Sequence, residues 1–281
     1  MTDAATTPGL VLIATPIGNM GDISPRALDE LQSADSVACE DTRRTGALFA
    51  HFGLTHEPFV VCNDHTEAHA ADEIVRRIES GQRVALVSDA GTPAVSDPGY
   101  RVVRAAIDAG VPVEVVPGAS AVLAAVSLSG FATDRFCFDG FLPRKGAERA
   151  RRLETIKAEA RTTVIFESPR RLSDTLAALA VACGDGRNVA VARELTKTYE
   201  EIWRGSLGEG VAHFNASPVK GEIAIAIEGA VAREVSNEDL MALLRAERDA
   251  GATNRDAVAA VMERTGAAKR RVYDLANQLD I

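Results

Sequence analysis

"RVALVSDAGTPAVSDPG", residues 83–99, decides the fold. The apolar run 83–87 reads as a β-strand, and the twelve residues after it spend two Asp, two Gly and two Pro on one loop. The next segment, "DPGYRVVRAAIDAG" (97–110), has helical periodicity, with Asp97 as expected N-cap, Pro98 at the first helical position and Gly110 as the left-handed stop. Strand, ornate loop, helix is the unit of an open α/β sheet, where ligands sit beyond the carboxyl ends of the strands.

The pattern recurs on both sides. Between Leu10 and Gly118, "LVLIATP", "SVACED", "FVVCND" and "VPVEVVPG" alternate with helical stretches such as Thr66 to Gly81, which predicts a parallel sheet. "SAVLAAVSLSG" (120–130) reads as a helix leading into a second set of strands: "FCFDGFLP", "TTVIFESP", "NVAVARELT", "YEEIWRGSL" and "GEIAIAIEG". Helices are expected between the first three. The short return at Lys197 and Thr198 permits only antiparallel neighbours, so this sheet should be mixed. From about Val231 the texture is helical, ending in a helix-turn-helix-like stretch around Gly266. The reading is thus two α/β domains, 1–125 and 126–232, and a helical tail, 233–281.

Composition narrows the function. The chain has 281 residues, 46% hydrophobic and 25% charged, with no apolar stretch approaching the roughly 20 residues of a membrane helix and no export-signal pattern, so it reads as soluble and cytoplasmic. Cys39, Cys62, Cys137 and Cys183 are scattered, which suggests neither a zinc site nor a disulfide framework. His65 and His69 stand at helical i, i+4 spacing beside Asp64 and Glu67, but the better reading is a solvated first turn, and no metal is expected. Net charge is −9, yet residues 144–171 hold nine Lys/Arg against four Asp/Glu, a basic stripe on an acidic chain.

The strand-end loops carry the candidate chemistry: "TPIGNMGD" (15–22), "EDTRRTG" (40–46), 88–99 and "PGASA" (117–121). Phosphate-binding motifs are absent, so a nucleotide-like ligand must be held differently. Gly91 and Gly118 allow close backbone approach, Asp89 offers an acceptor, and free amides before the following helix offer donors.

Eight blocks in order, "ATPIGNMGDIS", "EDTRRTG", "SDAGTPAVSDPGYRVV", "VVPGASAVLAAVSLSG", "FCFDGFLPRKGAER", "FESPRRL", "ELTKTYEEIWRG" and "GEIAIAIEG", resemble the bacterial small-subunit rRNA ribose 2′-O-methyltransferases, a branch of the tetrapyrrole-methylase-like superfamily. The likeness runs from about residue 9 to 229. It implies S-adenosylmethionine (AdoMet) in a cleft between two α/β domains, a homodimer, and methylation of a cytidine ribose of 16S rRNA near the decoding centre of the small ribosomal subunit. It places the cofactor against Pro16, Asp89, Gly91, Thr92, Val95, Ala119, Ser120, Phe166, Glu167, Leu195 and Glu222. One block departs from the family pattern: a "HEHNE"-like stretch is "NDHTE" (63–67) here, keeping His65 and Glu67.

Methyl transfer to a ribose hydroxyl needs alignment and proton removal. Lys197, with a pKa depressed by burial or basic neighbours, is the favoured base, with Glu40 and Arg43 positioning the nucleotide; Glu40, Asp41 and Glu200 are the other candidate bases. Asp41 or Thr42 also suits a helix cap, and Lys197 could pair with Glu200. Arg144, Lys145, Arg149, Arg151, Arg152, Arg170 and Arg171 are expected on RNA phosphates. Two rival functions stand beside this one: a porphyrinoid methylase, which the basic stripe disfavours, and a non-catalytic ligand sensor that binds nucleic acid.

Overall fold

A computed structural model of the protein describes residues 7–55, 59–217, 219–230 and 236–279. It divides into two compact units, Met1–Ala230 and Val231–Ile281. The expected start of the tail at 233 lies outside the described residues.

The first unit opens with a five-stranded parallel sheet in the order β3-β2-β4-β1-β5, formed by β1 (Gly9–Ile13), β2 (Ser36–Cys39), β3 (Val60–Val61), β4 (Arg83–Val87) and β5 (Val113–Val116). Gly9 to Ile13 run in register with Arg83 to Val87, so the two central strands end together and their loops leave side by side. Both faces are covered. Helices α1 (Pro25–Ser33) and α2 (Thr42–Phe52) pack Leu31, Leu48 and Phe49 on Val11, Ile13 and Val37; α3 (Glu67–Glu79) and α4 (Tyr100–Asp108) pack Ile74, Ile78 and Val102 on Leu10, Val84 and Leu86. At the amino end of β4 the buried Arg83 side chain reaches Glu30 at 2.8 Å and Glu114 at 3.1 Å.

The second sheet is mixed, in the order β6-β7-β10-β8-β9, from β6 (Phe136–Phe141), β7 (Thr162–Glu167), β8 (Asn188–Arg193), β9 (Glu201–Ser206) and β10 (Ile223–Ile227). β6 and β7 are parallel and the remaining pairs antiparallel. The sequence "IAIAI" in β10 sends its isoleucines to one face and its alanines to the other. Ile223, Ile225 and Ile227, with Val189 and Val191, meet α6 (Gly146–Ala158), α7 (Leu172–Cys183) and α8 (Leu207–Ala216). Ala224 and Ala226, with Ala190 and Ala192, leave room for α5 (Ala121–Ser129), which seats Val122, Ala125 and Val126 there. The domain boundary expected after residue 125 therefore falls inside a helix that follows β5 in the chain and is buried on the second sheet.

Two local expectations are corrected. Helix α4 begins at Tyr100 with Gly99 as N-cap at φ +136°, so Asp97 does not cap it and Pro98 lies outside it. Helix α8 stands between β9 and β10, where the sequence pattern shows no helix; a capping box of Ser206 and Glu209 starts it despite Gly208 and Gly210. The second unit is a three-helix cluster, α9 (Asn237–Asp249), α10 (Asn254–Thr265) and α11 (Lys269–Gln278), around Leu240, Leu244, Val261 and Val272. Among the described residues no helix is long and apolar enough to cross a membrane.

Candidate active site

The loops after β1 and β4 are stitched to each other. Thr15 N–H donates to the Gly91 carbonyl at 2.9 Å and Gly91 N–H to the Thr15 carbonyl at 3.0 Å, while the Thr15 hydroxyl donates to the Ser88 carbonyl. Gly91 has φ +82°, and a Cβ there would lie 3.3 Å from Ile17 Cγ2, so this crossing needs glycine. Ala94 and Ser96 hold φ of +68° and +61°, conformations that cost a residue with a side chain about 1 kcal/mol or more.

These loops and the strand ends of the second sheet enclose a cavity of about 350 Å³. Such a volume is within the usual range of small-molecule sites, roughly 300–1,000 Å³. From the first sheet come Ile17, Gly91, Thr92, Val95, Asp97 and Ser120; from the second, Phe141, Phe166, Glu167, Leu195 and Glu222. Of the residues expected around the cofactor, Gly91, Thr92, Val95, Ser120, Phe166, Glu167, Leu195 and Glu222 line it. Ala119 stands behind the wall, its carbonyl accepting from the Thr92 hydroxyl. The Glu167 carboxylate turns away into the protein, accepting from the Thr175 hydroxyl at 2.7 Å and the Ser168 N–H at 2.7 Å.

Pro16 and Asp89 are not on this wall. Both line a smaller hollow against α2, and Asp89 accepts from the Asp41 N–H at 3.1 Å and faces Arg44. Asp97, which is not among the residues expected around the cofactor, does line the main cavity, alongside Glu222. Burial pushes the Asp97 carboxyl up to about 6, with the charges of Asp89, Asp64 and Glu222 adding to the shift and a hydrogen bond from Ser88 opposing it. The sequence pattern hid Asp97, because Asp-Pro before a helix is what an N-cap looks like.

Lys197 is corrected in one respect. Partial burial pulls its pKa down, but Nζ sits 2.7 Å from Glu194 Oε1 and 3.0 Å from Glu222 Oε2, and these pairings carry the net shift upward. The amine is therefore held in its charged form. The alternative pairing with Glu200 is replaced by those with Glu194 and Glu222; Glu200 accepts instead from the Thr196 N–H. The turn that presents Lys197 is tight: Glu194 and Thr196 both have positive φ, and a Cβ on Gly18 or Gly221 would run into Lys197 or Glu194.

Glu40 and Arg43 line a separate open hollow with Asp41, Asn63, Asp64, His65 and Asp89. Burial, then the charges of Asp89, Asp97 and Asp64, raise the Glu40 carboxyl. Asp41 caps α2 through the Arg43 N–H and pairs with the Arg43 guanidinium at 2.6 Å, leaving Arg43 88% exposed. Among the described residues no group of His, Cys, Asp or Glu is arranged to hold a metal ion.

The basic stripe separates into two sets. Arg149 donates to the Pro143 carbonyl and Thr175, Arg152 pairs with Asp139, and Arg171 donates to the Leu142 carbonyl and faces Glu167. These three brace α6 and α7. Arg144, Lys145, Arg151 and Arg170 are exposed, and the first follows closely on Phe141, which is 56% exposed at the cavity rim.

The profile of the Tetrapyrrole (Corrin/Porphyrin) Methylases matches residues 9–211. A protein named ribosomal RNA small subunit methyltransferase I from Synechocystis sp. is 42% identical over 274 residues, 96% of this chain and 98% of its own length. One of the same name from Escherichia coli O157:H7 is 44% identical over 247 residues, 85% of each chain. Among solved structures, uroporphyrin-III C-methyl transferase from Thermus thermophilus complexed with S-adenyl homocysteine shares the fold, with TM-score 0.56 at 19% identity, covering 78% of this chain and 96% of that one.

Proposed function

The chain belongs to the tetrapyrrole (corrin/porphyrin) methylase family, and from that premise we propose that it methylates the ribose 2′-hydroxyl of a cytidine in the small-subunit ribosomal RNA. It is a methyltransferase, and its methyl donor is AdoMet. The observation that carries the RNA substrate is the 42% identity to a ribosomal RNA methyltransferase along 96% of the chain, against 19% to the porphyrin enzyme. Exposed Arg144 and Arg170, which follow the cavity-lining Phe141 and Pro169 in the chain, support it, since cations next to an open aromatic suit single-stranded RNA; Lys145 and Arg151 are exposed cations of the same stripe.

The cavity suits the cofactor. Ile17, Val95, Phe166 and Leu195 offer apolar walls, Thr92 and Ser120 hydroxyls, and Glu222 a carboxylate for an ammonium. When bound, AdoMet supplies an electrophilic methyl whose leaving group is a neutral thioether. The 2′-oxygen must then lose its proton as its bond to carbon forms. We assign that proton to Asp97 rather than Lys197: a carboxyl titrating at about 6 is ionised at neutral pH and is a stronger base than an ordinary Asp, whereas Lys197 is held protonated. Lys197 instead fixes Glu194 and Glu222 at the cavity edge. We keep Glu40 and Arg43, which line the separate open hollow, as the residues that would position the nucleotide.

The same reading includes a homodimer, supported by Val115 and Leu123, apolar side chains more than half exposed, and action in the cytoplasm on the small subunit. Purified small subunits incubated with the protein and labelled AdoMet should gain one ribose methyl at a cytidine, mapped by resistance of that linkage to alkali. Methyl incorporation into a base, or into a porphyrinoid but not RNA, would refute it.

A further inference from the structure

Helix α4 starts without a capping side chain from its own segment. The acceptor comes from α3: Glu67 Oε1 receives the Gly99 N–H at 2.7 Å and the Arg101 N–H at 2.9 Å. The Glu67 side chain is only 12% exposed, and Arg101 lies 3.7 Å from its other oxygen. Asp97 stands two residues before Gly99, the spacing at which an Asp side chain ordinarily takes the N–H two positions on. That N–H is already occupied, and Asp97 lines the cavity instead.

We infer that Glu67 is a positioning residue: by capping α4 from the neighbouring helix it keeps the Asp97 carboxylate in the cavity. The inference rests on the assignment of Asp97 as proton acceptor. Gly99 is buried, so its N–H left without an acceptor is penalised by lost solvation. Asp97 is near enough in the chain to satisfy it. Withdrawn onto those amides, its carboxylate would be stabilised in the charged form and become a weaker base. The other groups that act on Asp97 are Ser88 and Asp89 at the end of β4, Asp64 before α3, Glu40 after β2 and Glu222 before β10, with Arg44 on Asp89 and Lys197 on Glu222.

The test compares Glu67→Ala, Glu67→Asp and Glu67→Gln in the full chain. The Asp97 carboxyl is titrated by carbon-13 NMR, assigned by its absence in Asp97→Asn, and single-turnover methylation of small subunits is followed against pH. Glu67→Ala should lower the Asp97 pKa by about one unit or more and slow methylation about 100-fold without a matching change in AdoMet affinity. Glu67→Asp, too short to reach, carries the same expectation if the alanine variant does not fold. Glu67→Gln, whose amide oxygen can still accept both N–H groups, should restore the pKa and most of the rate. An Asp97 pKa that stays near 6 in folded Glu67→Ala or Glu67→Asp overturns the inference, as does a Gln variant as impaired as Ala. If the wild type methylates no RNA while the NMR shift appears, the substrate assignment fails and the positioning stands.

Discussion

Lys197 Nζ and Glu194 Oε1 are 2.7 Å apart, three residues along a turn whose backbone is in the left-handed region at Glu194. The pairing holds the Glu194 carboxyl below its usual range, with a further contribution from the Glu222 N–H. A lysine so placed is held in its charged form and braces Glu194 and Glu222.

Lys197→Met should therefore slow methylation yet leave the acid limb of the pH–rate profile near 6, where Asp97 titrates. Single-turnover rates between pH 5 and 8 check this. Loss of that limb in the variant would return the base role to Lys197.

Asp97 is also a stability statement. Its pKa in the folded state, about 6, lies above the unfolded value of roughly 3.9, so the folded chain binds more protons between these values and stability falls as pH rises through them. Asp97→Asn should raise stability at pH 7.5 by about 1 kcal/mol after allowance for its partial exposure, change little at pH 4, and abolish turnover. Thermal melts at the two pH values read the difference; equal shifts at both would contradict the linkage.

The basic stripe should divide by mutation as it does by geometry. Neutralising Arg144, Lys145, Arg151 and Arg170 should weaken subunit binding and leave the melting temperature unchanged. The salt slope of binding should fall by about 0.7–0.9 for each RNA phosphate that no longer meets a cation. Arg149→Ala and Arg171→Ala should instead lower the melting temperature, because acceptors at buried Leu142 and Thr175 and at half-buried Pro143 lose their donors.

Arg83→Met should destabilise the protein by about 1–3 kcal/mol, since Glu30 and the half-exposed Glu114 lose the hydrogen bonds of the buried cation between them. AdoMet affinity should hold, as Arg83 begins the strand whose far end carries the ligand loop. Denaturant unfolding and calorimetry on the same sample separate the two effects.

The strand-end loops are readable because their chemistry is local: Gly91 is needed at its own φ, and runs of Gly, Pro and Asp have few other uses. What escapes a reading of the chain is long-range. Asp97 looks like a cap because its rival acceptor, Glu67, lies 32 residues from the Gly99 N–H that it occupies. The charge state of Lys197 depends on Glu222, 25 residues on, which no window around the lysine contains. The cofactor wall and the brace beneath it both draw on Glu167, and only the packing of Thr175 shows which way its carboxylate points. Helix α8 is the exception, missed although its Ser206–Glu209 capping box is written in the chain, because Gly208 and Gly210 argue against a helix.

The alanine face of β8 and β10 has a mechanical consequence. Helix α5 leaves the first sheet at β5 and is clasped by the second through Val122, Ala125 and Val126, so the halves of the first unit are pinned across the cavity rather than strung on a linker. Swinging them apart like jaws would strip that helix from its bed and expose its buried side chains to water. We expect exchange of product for fresh cofactor to use local give in the loops that carry Val95, Ser96 and Leu195 to the cavity, where Ala94, Ser96, Glu194 and Thr196 hold positive φ.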